Sequence, residues 1–124
     1  SMKMDHLYAP YLGNRALGRA FREALAVLNI EESGEAEDKG LGSTDVGNAG
    51  LEVPILHPLM AVPGVKDGVH TRAFARAASH APGRAMLGNA IAALALTGAE
   101  LLLNPAILLE AKAEHKRFVL EQGR

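Results

Sequence analysis

The chain has 124 residues, 48% of them apolar, and a formal charge of −1. That is enough for one domain or part of a larger one, and it excludes a disordered chain. The absence of cysteine excludes disulfides and thiolate metal sites, while three Phe, two Tyr and scattered Lys and Arg exclude a nucleic-acid surface.

The first ten residues, SMKMDHLYAP, lack the apolar core of a signal peptide, so the cytoplasm is the expected compartment. Ser1 before Met2 reads as the scar of a cleaved tag, with Met2 or Met4 as the native start. Residues 15–28 place Leu17, Phe21, Ala24, Leu25 and Leu28 at helical spacing, and Asn14 is suited to cap that helix. Residues 31–42 are acidic and contain glycine, which predicts a solvated linker. The paired Glu31 and Glu32 fall in it, where charge is ordinarily only solvated. GSTDVGNAG, residues 42–50, then reads as a loop.

Residues 51–62, LEVPILHPLMAV, are apolar and β-branched but carry Pro54 and Pro58. Proline removes a ladder donor, so the expectation is a short strand at a sheet edge, or a broken one. PGVKDG is a turn, and Thr71 caps a short helix that Pro82 and Gly83 are expected to end. Residues 84–103 are apolar on nearly every face. About 20 such residues could cross a bilayer, but Arg84, Asn89, Glu100 and the missing aromatic anchors argue against a span. A helix apolar all round is otherwise expected to be buried all round. Asn104-Pro105 opens a last helix whose stripe is Ile107, Leu108, Ala111, His115 and Phe118.

The remaining elements are too few to enclose residues 84–103. Either the chain self-associates to cover them or it is a piece of a larger fold.

Asp45, His57 and His70 are the side chains able to converge on a site, with Ser43 and Thr44 nearby. Imidazole nitrogen and carboxylate oxygen suit a metal, though the spacing matches no compact zinc motif. Each has an ordinary alternative: Asp45 closing an Asx turn, His57 half-buried in a strand, His70 helping to cap the helix after it. GSTDVG is not a nucleophile elbow for Ser43, and Gly42, Gly47 and Gly50 do not form a phosphate-binding pattern.

Taken in order, GSTDVGN, VPILHP and GVHTRAFARAA resemble the end of the zinc amidohydrolase and metallopeptidase family, which includes aminoacylases, carboxypeptidases and aminobenzoyl-glutamate hydrolases. LGNRALGRAFREALAVLNI and NPAILLEAKAEHKRF also look like that branch. The resemblance implies a helix-rich α/β fold: the C-terminal segment of a three-layer catalytic domain, with about four helices and one or two short strands. Residues 1–124 would be a single partial domain. By the same resemblance His70 matches a ligand of a zinc or manganese centre, and Asp45, Ser43, Thr44 and Asn48 lie beside the substrate. His57 matches a motif position without an assigned role. In such enzymes metal-bound water attacks the amide of an N-acyl amino acid or dipeptide, with a glutamate as general base.

The departures are as informative. Ala49, Gly50, Leu51 and Glu52 stand where the branch differs, and no His-x-Asp pair occurs. A catalytic zinc needs about three protein ligands, so the chain alone is expected to be inactive, completed by a missing N-terminal half or by self-association. The rival expectation is a non-catalytic helical module that acts through self-association or a partner.

Overall fold

A computed structural model describes residues 9, 11–32, 44–65 and 69–122. Five helices occur among them: α1 (Arg15–Val27), α2 (Val46–Glu52), α3 (Arg72–Ser79), α4 (Ala81–Leu103) and α5 (Pro105–Gln122). α1 crosses both α4 and α5, which pack on each other, and α3 lies against α4.

α1 forms where its spacing predicts. The Asn14 side chain accepts the Leu17 N–H, meeting one of the donors that a helix start leaves unpaired. Ala16, Leu17, Ala20, Phe21, Ala24 and Leu25 face inward. The helix ends in a Schellman motif: Ile30 N donates to Leu25 O and Asn29 N to Ala26 O, with Asn29 left-handed at φ 53°.

Two small apolar clusters meet along α1. Ala16 and Leu17 pack with Ala111 of α5, and Phe21 and Leu25 pack with Ala93 of α4. The three alanines are fully buried at the crossings, where a small side chain lets the backbones approach. Leu56 joins both clusters.

Leu56 belongs to the segment expected to be a strand, and here the α/β reading is corrected. No strand occurs among the described residues; the fold is helical. Residues 51 and 52 finish α2, and 53–62 follow with neither helix nor strand ladder. Pro54 and Pro58 explain this, since neither has an N–H to give. The segment is instead held by Asn14 N donating to Ile55 O (3.1 Å) and His57 N donating to the Tyr11 hydroxyl (2.9 Å).

GSTDVGNAG is also corrected where it is described: residues 46–50 are helical, not a loop. Gly47 and Gly50 lie on the buried side of α2. A Cβ on Gly50 would come within 2.7 Å of Ile55 Cδ1, so this glycine serves close approach.

Thr71 caps α3 by accepting the Phe74 N–H, as expected. Pro82 and Gly83 do not end that helix. α3 ends at Ser79, and Pro82 sits in the first turn of α4, where its missing N–H would have had no partner. Gly83 abuts the backbone of Ala77 and Ala78.

The expectation that α4 is buried all round is overturned. Within α4 only Gly83, Ala93 and Thr97 are buried, while Leu87, Ile91, Leu94, Leu102 and Leu103 are 51% to 84% exposed. α4 is long and apolar enough to cross a membrane by length and composition, and 11% of its most apolar stretch is buried. α5 starts at Pro105 as expected, with Ala111 buried and Ile107, His115 and Phe118 half-buried. Leu108 is more exposed than its place in the predicted stripe implies.

Candidate functional site

The residues singled out from sequence are scattered along the fold. Asp45 is exposed at the N-terminus of α2, and its side chain makes no capping bond. Thr44 takes that role by accepting the Val46 N–H at 3.3 Å. Asn48 is exposed on α2, and its side-chain oxygen accepts the Ala9 N–H at 2.7 Å. Ser43 lies outside the described residues, as does the linker beyond Glu32. His70 is exposed and left-handed, φ 67°, immediately before the residue that caps α3.

His57 lines a cleft of about 560 Å³. Phe21, Leu25, Ile30, Leu56 and Met60 make its apolar wall. Glu31, Glu32 and Arg22 supply its charge, so the carboxylate pair set aside from sequence lines the same cleft as His57. The His57 ring meets Tyr11 edge to face, centroids 6.2 Å apart. Such a cleft suits an apolar side chain with a polar end among the acids. Asp45 and His70 do not line it. Among the described residues no three His, Asp or Glu side chains are grouped to hold a metal.

A second cleft, about 510 Å³, lies between the start of α1 and α5. Sequence reasoning missed it because its polar contacts are with backbone. The Glu114 carboxylate accepts from Arg15 N (3.0 Å) and Ala16 N (3.3 Å), placing negative charge at the positive end of α1. Asn14 Nδ2 donates to Ala111 O at 2.9 Å. His115 Nε2 donates to Gly50 O at 2.9 Å, tying α5 to α2. Arg19 and Glu110 form an exposed ion pair on its rim. The only sequence signal was the spacing of Glu110, Glu114 and Arg117 on one face of α5, opposite Arg15 and Arg19 on α1. These groups serve the junction of α1, α2 and α5 more than they make a reactive centre.

No family model and no solved structure matches the chain. Two curated proteins are similar to it: the Xaa-Arg dipeptidases of Mus musculus and of Homo sapiens, each 30% identical over 121 residues. The similarity covers 94% of this chain, and the chain spans 27% of the length of either relative. The chain therefore carries a distant likeness to one quarter of a peptidase.

Proposed function

We propose that the chain contributes one wall of the active site of a metal-dependent dipeptidase-like amidohydrolase, with the other wall outside these 124 residues. The observation that carries this reading is the likeness to the two Xaa-Arg dipeptidases along nearly the whole chain. Their name gives the substrate class: a dipeptide with arginine at the second position. In the completed enzyme His70 supplies one zinc or manganese ligand, and Asp45, with Thr44 and Asn48, borders the substrate.

The conformation of His70 supports this role. A non-glycine residue at φ 67° is strained by about 1–2 kcal/mol. Strain of this kind concentrates at ligand and active sites. One histidine does not complete a zinc site, which needs about three protein ligands, so the chain alone neither binds zinc tightly nor cleaves amides.

Two measurements test the reading. Calorimetric titration of the chain with zinc is expected to show no stoichiometric micromolar binding; such binding by a single chain would overturn the claim of an incomplete site. Replacing the matching quarter of the mouse dipeptidase with this chain is expected to give a hybrid that cleaves a dipeptide ending in arginine, with activity lost on His70→Ala. A well-folded but inactive hybrid, or an active His70→Ala hybrid, would overturn the proposal.

The exposed apolar surface of α4 favours a second reading, a helical module that works by association. It makes no use of His70, so the same hybrid separates the two.

A further inference from the structure

The cleft lined by His57 carries chemistry that the dipeptidase reading leaves unused. Its volume, about 560 Å³, is that of a small-ligand pocket. Three stretches of the chain build it: α1 through Phe21 and Leu25, the segment after α2 through Leu56 and Met60, and α4 through Met86. Phe21 and Leu25 are buried, and Leu56 and Met60 pack against their cluster. The apolar wall is therefore part of the core and is held in place by it.

The charge is positioned as well. After α1 the chain reverses through the Schellman motif, and Ile30 packs on the same cluster. Glu31 and Glu32 follow directly and line the cleft. Arg22 is the cation of the lining, and among the described residues no ion pair joins it to either carboxylate. Two carboxylates against one guanidinium leave the lining negative. Gly18 also lines the cleft, and a Cβ there would meet nothing within 4 Å, so that side is open.

A cleft that joins an apolar wall to two carboxylates matches a ligand with an aliphatic stem and a cationic end. Lysine and arginine side chains both have this form. Arginine fits better: its guanidinium is less strongly hydrated than an ammonium and offers carboxylates five donors in a planar fork. We propose that the cleft binds an arginine side chain carried by a short peptide. The methylenes lie on Phe21, Leu56 and Met60, and the guanidinium is held by Glu31 and Glu32. This assignment comes from the lining and needs no metal; His70 and Asp45 lie outside the cleft.

The probe is Nα-acetyl-arginine amide, whose side chain carries its only charge. Titrated into the full chain at low salt and followed by amide NMR, it is expected to shift the Gly18, Glu31 and Glu32 resonances saturably. A Kd on the order of 1 mM suits a ligand of its size. Nα-acetyl-citrulline amide, of the same length without the charge, is expected to bind at least about tenfold more weakly. Glu31→Gln combined with Glu32→Gln should weaken the arginine probe by a similar factor. Gly18→Leu fills the open side and should abolish binding, with helical circular dichroism kept because leucine favours a helix over glycine. No saturable shift, citrulline binding as tightly as arginine, a double Gln variant of full affinity, or a folded Gly18→Leu chain that still binds would each overturn the proposal. The dipeptidase reading is decided separately, by the zinc titration and the His70→Ala hybrid.

Discussion

Asn14 is the residue whose replacement tests the packing of this fold most directly. It is 6% exposed and makes two bonds in opposite directions: its oxygen accepts Leu17 N (3.1 Å) within α1, and its nitrogen donates to Ala111 O (2.9 Å) on α5. Asn14→Ala removes both. The lost cap is worth about 1 kcal/mol. The lost interhelical bond is worth about 1 kcal/mol more, since Ala111 is fully buried. Asn14→Ser keeps the cap but cannot reach Ala111, so it is expected to lose about 1 kcal/mol rather than 2. Urea unfolding at fixed chain concentration reads the difference, fixed because association would add to apparent stability. With a slope near 2 kcal/mol/M, the midpoints should fall by about 1 M for Ala and 0.5 M for Ser. If Ser matches the parent, the bond to Ala111 contributes nothing; if Ala falls within about 0.5 kcal/mol of the parent, both contributions are misjudged.

Other substitutions separate contacts that matter from those that do not. Gly83→Ala drives a methyl into the Ala77–Ala78 backbone and should cost about 1–3 kcal/mol in thermal unfolding. Gly18→Ala, with open space around it in α1, should stabilise by up to about 1 kcal/mol. Glu114→Ala removes the carboxylate that holds the start of α1 and should lower stability by about 1–2 kcal/mol, while Glu114→Gln keeps an acceptor and should lose less; the gap between them should narrow in high salt. Arg19→Ala should change stability by less than about 0.5 kcal/mol, because the Arg19–Glu110 pair is 47% and 55% exposed.

The helices were legible where a local rule decided them. Asn14 at a cap, Pro105 at a helix start and Thr71 before α3 each carry their reason in one or two neighbouring residues. The strand was not. Residues 53–62 have the composition of a strand, but with Pro54 and Pro58 they cannot donate regularly, and no neighbouring strand occurs among the described residues. α2 was missed because Gly47 and Gly50 signal a loop when read locally, yet the missing side chain of Gly50 lets α2 lie against Ile55, a packing contact that residue propensity does not register. The candidate site fared similarly. His57 was named without a role, and the cleft it lines with Glu31, Glu32 and Phe21 joins residues from distant parts of the sequence. The Glu114 contact spans 99 residues in sequence and leaves no periodic trace. For α4 the composition was read correctly, but burial followed only if enough chain existed to supply it.

Two residues adopt left-handed backbone without being glycine, and the contrast between them bears on function. Asn29, at φ 53°, sits inside a Schellman motif where two hydrogen bonds and the packing of Ile30 define the conformation, and Asn tolerates it well. Asn29→Gly should therefore change stability little. His70, at φ 67°, is exposed in a turn before α3. Glycine there relieves about 1–2 kcal/mol of strain and loses part of that through the freer unfolded chain, so His70→Gly should raise stability by about 0.5–1 kcal/mol in urea unfolding. If His70 is kept strained to meet a metal, the same substitution should abolish dipeptide cleavage in the hybrid with the mouse dipeptidase while stabilising the chain. A His70→Gly chain less stable than the parent would refute the strain argument. A stabilised and still active hybrid would separate the strain from catalysis and remove His70 from the metal site.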